Sequence, residues 1–533
     1  MLSRSMNSRI AALPLLLALA VPADAQDTDN PGDSDWISLL GDQVQAMELT
    51  LEDALRIALE GNLGLERQAV ETEVARLNWK GSWGAFDPVY SLDMSLNDFE
   101  VPATGPFVPG FLDPGDVIEG ESLQITNAVN LPLNTGGNVS LTYDVRSDET
   151  TAGTSFGDSE QGFLTLALTQ PLLRGAGRRF ATADQREAEI AYLRQLEVER
   201  QTRQETAQLV ENAYWDLVAA EGEVEVREQA VELGIEQLDQ NRRRLEVGVG
   251  TEVDVLQAQT NKATQDEQLL LAHVNSKAAR DALRALLFRR DPSLEGVEAY
   301  REFWDVPIVP VTALPEVDGE LQLSWLGSLA RAFERVPELA QLALDIESAE
   351  VRLQRAASQR LPGLDFTVSF TSQGLDATGS DGMGMPVPVD FNVLDADALA
   401  TVLSLNFSSP IGNRTAGFAE RVARARIRTA QLAHEDQQRI VVAAVREAVR
   451  NVEYQAQAVS AAETSRRLAE RQLEAEQARY EEGLSTTFQV LEFQQDLAQA
   501  RSTEKAVRAA YAKALVSLDK AEGVIGEDLA VER

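Results

Sequence analysis

Residues 206–248 read TAQLVENAYWDLVAAEGEVEVREQAVELGIEQLDQNRRRLEVG and carry the most regular apolar pattern of this chain. An apolar residue recurs at every seventh position, with charged side chains filling much of the space between. Such a repeat keeps a narrow apolar seam facing a neighbouring helix. Because no proline interrupts the chain back to Arg179, we predict one long helix over 179–247, roughly 100 Å long at ~1.5 Å per residue. The seam consists of Val210, Leu217, Val224, Val231, Leu238 and Leu245.

The same pattern occurs a second time. It predicts another long helix over 417–482, followed by a glycine and a threonine as in the first copy. The segments before the two long helices also match, and the strand-like stretches YSLDMSL and LDFTVSF line up without a gap. An internal duplication therefore sets the architecture. The second seam consists of Val445, Val452, Val459, Arg466, Leu473 and Tyr480, apolar except for Arg466.

The N-terminus has the composition of a secretory signal peptide. Arg4 and Arg9 precede an apolar run over 10–21, and Ala-Asp-Ala at 23–25 forms a cleavage site. We predict cleavage after Ala25, because a membrane anchor would need about 20 apolar residues. The chain contains no cysteine, which excludes disulfides, cysteine catalysis and a lipoprotein anchor.

The net charge of −37 argues against nucleic acid as a partner, since nucleic-acid binding needs a basic face. Most of the 85 acidic residues are expected on solvated helix surfaces. After the signal peptide, no stretch of 18 consecutive apolar residues follows. Insertion into a membrane would therefore require β-strands closed into a barrel.

Residues 88–171 and 362–410 change from a helical period to a period of two. Alternating strands with turns at one end and long loops at the other fit an outer-membrane barrel, although a soluble β-domain would give a similar pattern. The first region is longer and has room for an additional hairpin. Whether that hairpin would join a barrel or lie outside it stays open at this point.

The predicted organisation has two repeats in which two shorter helices, stacked end to end, match one long helix. Each such layer lacks a closed core, so we expect oligomerisation. The predicted divisions are a signal peptide (1–25), a leader (26–48), a first repeat (49–289), a linker (290–323), a second repeat (324–522) and a tail (523–533). Within the repeats the return helices are predicted at 251–289 and 487–522.

The ends of the long helices have a sufficient structural explanation. Gly248 and Gly483 each follow a long helix, where glycine tolerates the left-handed conformation. The patterns Thr251-x-x-Asp254 and Thr486-x-x-Gln489 are typical of capping boxes that open the return helices.

Catalytic and metal-binding signals are weak. His273 and His434 stand alone on helical patterns without nearby ligand spacing, so we predict no metal site. Gly175-Ala-Gly177 lacks the spacing of a phosphate loop and is better explained as a strand-to-helix elbow. Since no nucleophile–base pair is apparent, we predict no enzyme activity and no cofactor.

Four motifs carry a resemblance to a known family. They are LTLEDALRIALEGN at 49–62, TQPLLRGAGRR at 169–179, RRRLEVGVGTEVDVLQAQ at 242–259 and ARYEEGLSTTFQVLEFQQ at 478–495. In their order, duplication and spacing they resemble the outer-membrane efflux protein family, the TolC-like export channels. The resemblance covers roughly residues 48–522.

The resemblance implies a mainly α-helical fold with membrane β-structure. A long antiparallel coiled-coil α-helical barrel would join a transmembrane β-barrel shared by a homotrimer. The chain would then be the outer-membrane duct of a tripartite export system for small molecules or for type I protein secretion. Its implied partners are outer-membrane lipid, a periplasmic adaptor protein and an inner-membrane transporter of the RND or ABC type. A periplasmic coiled-coil scaffold remains the main alternative, whereas a diffusion porin lacks such long helices.

The resemblance also implies roles for the helix tips. Gln489 is an amide where the family often has an acid, and Ser485 stands where an arginine can provide a gating link. Because of these two departures, the resemblance is also compatible with a channel mouth that closes more loosely or through different contacts. The implied constriction residues are Asp254, Gln257, Tyr480, Gln489 and Glu492, and the implied adaptor contacts are Gly248, Gly250, Thr251, Gly483, Ser485 and Thr486.

Overall fold

The structure is a computed structural model. It describes residues 47–102, 117–150, 159–288, 297, 304, 306–317, 323–380, 386–389 and 398–526. The predicted signal peptide, nearly all of the leader and most of the tail therefore lie outside the described residues, as does much of the predicted linker.

Two long helices dominate the described chain, and each folds back on a shorter return helix. Helix α4 spans Ala183–Glu246 and is followed by α5, Glu252–Leu287. Helix α8 spans Arg414–Glu481 and is followed by α9, Thr487–Glu522. The seam residues are mostly buried, with Val210, Leu217, Val445 and Val452 fully inaccessible to solvent. The heptad pattern therefore marks the packing faces of both helices, apart from Leu245, which is 36% exposed near the tip.

The shorter helices contain breaks at defined residues. Helix α1, Leu51–Gly61, ends at a glycine, and Asn62 then caps α2, Leu63–Ser82. A short α3, Arg178–Ala181, is separated from α4 at Thr182. The predicted organisation has one shorter helix before the strands of the second repeat, and this was wrong, because α6, Trp325–Arg335, and α7, Pro337–Gln359, are distinct. A proline disfavours helical conformation in the residue before it, and Val336 is accordingly extended with ψ 118°.

A small parallel sheet joins the segment before α1 to the segment after α5, and Tyr214 of α4 bonds to both segments. Strand β1, Met47–Leu49, pairs with β6, Ile308–Pro310. The hydroxyl of Tyr214, a fully buried residue of α4, donates to the carbonyl of Leu49 at 2.9 Å and accepts from the amide of Thr312 at 2.9 Å. The surrounding core includes Trp215, Leu217, Leu283 and Leu287.

The remaining strands form one antiparallel sheet. The bounds are β2 Val89–Pro102, β3 Val117–Pro132, β4 Asn138–Thr150, β5 Ser159–Pro171, β7 Gly363–Ser380, β8 Pro386–Val389 and β9 Leu399–Ser408. Their order is β2-β3-β4-β5-β7, with both β9 and the short β8 pairing on β7. The described residues of the first region form four strands, so its additional hairpin joins the sheet.

Within the described part of the chain, no helix is both long enough and apolar enough to cross a membrane.

Candidate functional site

The tip between α4 and α5 is a tight turn closed by a complete capping box. Gly248 adopts φ +79°, and the amide of Gly250 donates to the carbonyl of Arg244 at 2.9 Å. The Thr251 hydroxyl accepts from the amide of Asp254 at 3.2 Å, and the Asp254 carboxylate accepts from the amide of Thr251 at 3.1 Å. Both ends of this turn are therefore held by local hydrogen bonds.

The tip between α8 and α9 is built in the same way but closes less completely. Gly483 adopts φ +75°, and the Thr486 hydroxyl accepts from the amide of Gln489 at 3.4 Å. Ser485 donates to the buried carboxylate of Glu476 and also contacts the Gln489 amide oxygen at 3.1 Å. Ser485 thus binds within its own tip.

A buried hydrogen-bond network joins the two tips. The Tyr480 hydroxyl donates to Asn241 Oδ1 at 2.7 Å and lies 3.2 Å from the hydroxyl of Thr487. Gln237 Nε2 donates to the same Asn241 oxygen at 3.0 Å, and Asn241 Nδ2 donates to the Asp254 carbonyl at 3.0 Å. Asn241 is 1% exposed, and its amide group is bonded through both its oxygen and its nitrogen. Such a satisfied buried network holds two elements in one relative position.

Arg244 adds a second link between the tips. Its guanidinium lies 4.6 Å from the centre of the Tyr480 ring and donates to the Tyr480 carbonyl at 3.3 Å. A cation over an aromatic face contributes ~0.5–1 kcal/mol at an exposed site and more when it is desolvated. An arginine therefore does contact the tip tyrosine, but it comes from the other helical hairpin.

Asp254 acts first as a cap. The hydrogen bond from the Thr251 hydroxyl is the largest cause that lowers the pKa of the Asp254 carboxyl, and the charge of Arg244 adds to it. The carboxylate therefore carries its negative charge at neutral pH. Its link to Tyr480 runs through its own backbone carbonyl and Asn241.

The other predicted constriction residues lie on the return helices. Gln257 is half-buried on α5, less than one turn after Asp254. Gln489 and Glu492 are exposed on the first turns of α9. The structure thus brings Tyr480 and Asp254 into one network and leaves Glu492 facing solvent in the single chain.

Sequence reasoning missed Asn241, Gln237, Arg244 and Thr487. The signal for Asn241 was present, because a buried amide at a helix-packing face is a device that selects one partner and one register. The partner of Asn241 could not be predicted from the sequence, since Tyr480 lies 239 residues away.

The sheet at the opposite end separates apolar from polar side chains. Strand pairing places alternate residues of all six long strands on the same side. We call the two sides the apolar face and the polar face. The apolar face includes Leu92, Met94, Ile125, Val129, Leu141, Tyr143, Leu164, Leu166, Val368, Phe370, Leu403 and Leu405, and the polar face includes Ser91, Asp93, Gln124, Thr126, Thr142, Asp144, Thr165, Thr169, Thr367, Thr371, Ser404 and Asn406.

Each face is suited to a different environment. On the apolar face Met94 is 67% exposed and Leu403 is 68% exposed, which leaves large hydrophobic side chains without cover in the single chain. On the polar face, hydrogen bonds cross between strands, such as Gln124 to Asp144 at 2.9 Å and Thr165 to Thr371 at 3.0 Å. This alternation is the pattern of a membrane strand that faces lipid on one side and a polar interior on the other.

Whole-fold comparison finds solved outer-membrane channels. CmeC of Campylobacter jejuni superposes with a TM-score of 0.61 at 16% identity, covering 93% of this chain and 91% of that one. VceC of Vibrio cholerae gives 0.60 at 16% identity, covering 89% and 96%. MtrE of Neisseria gonorrhoeae, solved in an open state, gives 0.58 at 16% identity, covering 89% of each chain. Comparison with curated protein sequences gives no match.

The family comparison covers both repeats. The sequence model of the family described as Outer membrane efflux protein matches residues 134–287 and 329–524, well over half of the chain. The first matched stretch begins in the turn between β3 and β4, so that β2 and β3 precede it. The family and the similar structures are channels rather than enzymes. The chain therefore belongs to the outer membrane efflux protein family, as an outer-membrane efflux channel with a periplasmic extension.

Proposed function

We propose that this chain is the outer-membrane duct of a tripartite export system and works as a homotrimer. One observation carries the proposal. The two helical hairpins end in linked, capped tips at one end, while a sheet with one apolar and one polar face lies at the other. Such an arrangement can join a membrane exit to a long periplasmic tunnel.

Surfaces left open in the single chain support association. Leu256, Leu270 and Leu271 on α5 are each at least 60% exposed, although they lie on a helix of a mainly helical layer. Removing apolar surface from water contributes ~25 cal/mol per Å², so neighbouring copies that cover these residues stabilise the assembly. The helical layers then close into a tunnel, and the sheets close into one barrel.

Transport through this duct is passive. Pore width and the charge of the lining decide what passes, as in other channels. The energy comes from an inner-membrane transporter of the RND or ABC type, which reaches the duct through a periplasmic adaptor protein. The adaptor contacts the tips at Gly248, Gly250, Thr251, Gly483, Ser485 and Thr486. The cargo is a small molecule or, alternatively, a protein of the type I pathway.

The first test is the mass and location of the native species. Bacterial membranes are separated into inner and outer fractions, extracted in mild detergent and analysed by native mass measurement. A trimer from the outer-membrane fraction supports the duct. A periplasmic monomer or dimer would instead favour a coiled-coil scaffold and overturn the proposal.

A further inference from the structure

The β2–β3 hairpin is an addition to the part of the chain that the family match covers. It precedes the first matched stretch, yet it pairs with β4 along most of its length, from Gly120 with Thr150 to Pro132 with Asn138. The hairpin therefore continues the sheet sideways rather than packing on one of its faces.

The division into faces also continues through the hairpin. Met94 pairs with Ile125, which pairs with Val145, so that all three lie on the apolar face. On the other side, Asp93 pairs with Thr126, and the Thr126 hydroxyl donates to Asp144 on β4. A decoration outside a barrel wall would not need the same alternation in the same register.

The turn between β3 and β4 is held in place at the end of the sheet that adjoins the helices. The amide of Gly177, in the elbow before α3, donates to the carbonyl of Thr135 at 2.9 Å. Gly136 packs so closely that a Cβ there would lie 2.3 Å from the carbonyl oxygen of Gly175. Strand β3 thus ends, and strand β4 begins, next to the elbow at which β5 also ends.

The two edges of the sheet are complementary. Successive long strands alternate in direction, so β2 and β9 run antiparallel to each other and can pair between copies. Both edges are long and carry exposed apolar residues, Leu92 at 57% and Leu405 at 61%. An open edge of this kind needs a partner. Six strands are too few to close alone, because membrane barrels begin at about eight strands.

We propose that β2 of one copy pairs with β9 of the next, so that the β2–β3 hairpin forms part of the barrel wall. This inference rests on the trimer of the proposed function. Three copies, each with the six long strands that its described residues form, then close a ring of eighteen. At ~4.8 Å between strands and a tilt of ~40°, the ring has a diameter of roughly 36 Å, against roughly 24 Å for a ring without the hairpins.

The test uses introduced cysteines, since the chain has none of its own. Polar-face positions on β2 (Ser91, Asp93 or Ser95) are combined with polar-face positions on β9 (Val402, Ser404 or Asn406), which scans the register. The trimer is oxidised in native outer membranes and analysed by denaturing electrophoresis without reductant. We expect at least one combination to convert most of the protein into covalent dimers and trimers.

Two further variants make the result decisive. Thr165→Cys with Thr371→Cys joins facing residues of one copy, whose hydroxyls lie 3.0 Å apart, and it reports that oxidation is efficient in the sheet. Thr142→Cys on β4 is combined with the same β9 cysteines. A trimer that cross-links β4 to β9, or that cross-links no β2–β9 combination, overturns the inference and leaves the duct intact. Absence of a trimer overturns the proposed function itself.

Discussion

The Tyr480 hydroxyl donates a 2.7 Å hydrogen bond to the side-chain oxygen of Asn241, and both residues are buried. Tyr480 lies near the end of α8 and Asn241 near the end of α4, so the bond joins the tips of the two helical hairpins. If the periplasmic mouth opens by separating these tips, this bond and the Arg244 contact must break. The side chains of Tyr480, Asn241 and Arg244 thus hold the two tips together. We call these three side chains the latch.

Replacing Tyr480 with phenylalanine removes the hydroxyl from this latch. We expect the tip pairing to lose about 1 kcal/mol, since that is the net value of a typical hydrogen bond, and Asn241 keeps its bond from Gln237. The measurement is single-channel conductance in planar bilayers, where the variant should open more often. Tyr454→Phe is the control, because Tyr454 is 65% exposed on the same helix. Equal open probability in wild type and Tyr480→Phe would contradict the latch.

Gly250→Ala tests the close turn of the first tip. A Cβ at this position would lie 3.0 Å from backbone atoms of Arg244 and Leu245, which cannot move aside as a flexible side chain could. We expect the turn to open more easily by about 1–2 kcal/mol, as for other overpacked sites. Proteolytic cleavage near 247–251 should accelerate roughly 5- to 30-fold.

The matched control for this turn is Gly417→Ala. A Cβ at Gly417 meets nothing within 4 Å, and the residue lies inside α8. Alanine should therefore stabilise the helix by up to about 1 kcal/mol. If both variants were cleaved at the wild-type rate, the close contact at Gly250 would have no effect on the free energy of opening the turn.

Glu492→Ala tests whether the exposed carboxylate on α9 takes part in ion selection. Three such charges at one mouth would raise the local concentration of cations. We expect the cation-to-anion permeability ratio of the trimer to fall roughly two- to five-fold. Reversal potentials in a salt gradient measure the ratio. Glu492→Asp keeps the charge and should keep the selectivity, whereas an unchanged ratio in Glu492→Ala would remove this residue from the lining.

Glu211 predicts a pH dependence of stability. Burial on α4, with the charge of Asp519 as a smaller cause, raises the pKa of its carboxyl to about 7. The ordinary value of 4.5 applies in the unfolded chain, so the folded chain binds more protons between these two values. Stability contributed by protonated Glu211 is therefore lost as the pH rises from about 4.5 to 7.

Glu211→Gln removes that loss. We expect the variant to gain about 1–2 kcal/mol relative to wild type at pH 8, after allowance for solvent screening, and to gain little at pH 4. Denaturant unfolding of the detergent-extracted protein at both pH values measures the difference. Glu228→Gln, at an exposed position on the same helix, serves as the control and should show no such change. A pH-independent difference for Glu211→Gln would contradict the assignment.

Local patterns gave correct expectations at several places. The heptad seam predicted the buried faces of α4 and α8, because helical periodicity places every seventh residue on nearly the same side. Thr251 and Asp254 predicted their own capping box, because both bonds form within one helical turn. Pro337 could have predicted the helix break at Val336, but the strong helical periodicity on either side favoured one continuous helix.

Contacts between residues far apart in the chain could not be predicted from the sequence. Arg466 stands at an apolar seam position, and besides Glu470, four residues further along the same helix at 2.7 Å, it pairs with Glu504 of α9, a partner that only the fold supplies. The pairing of β5 with β7 joins strands from different repeats, and no turn connects them. The alternation of β2 and β3 indicated strands. Their position at one side of the sheet is known only from the strand pairing and its register in the folded chain.

The long helices, their capped ends and the two-faced strands could be predicted from local sequence, because periodicity and capping depend on residues within one or two turns of each other. Three features became apparent only in the folded structure: Asn241 contacts Tyr480, Arg244 lies over the tyrosine ring, and the described residues form one sheet of six long strands with two open edges. Those contacts join residues far apart in the chain, and their geometry exists only after the hairpins and the sheet have packed together.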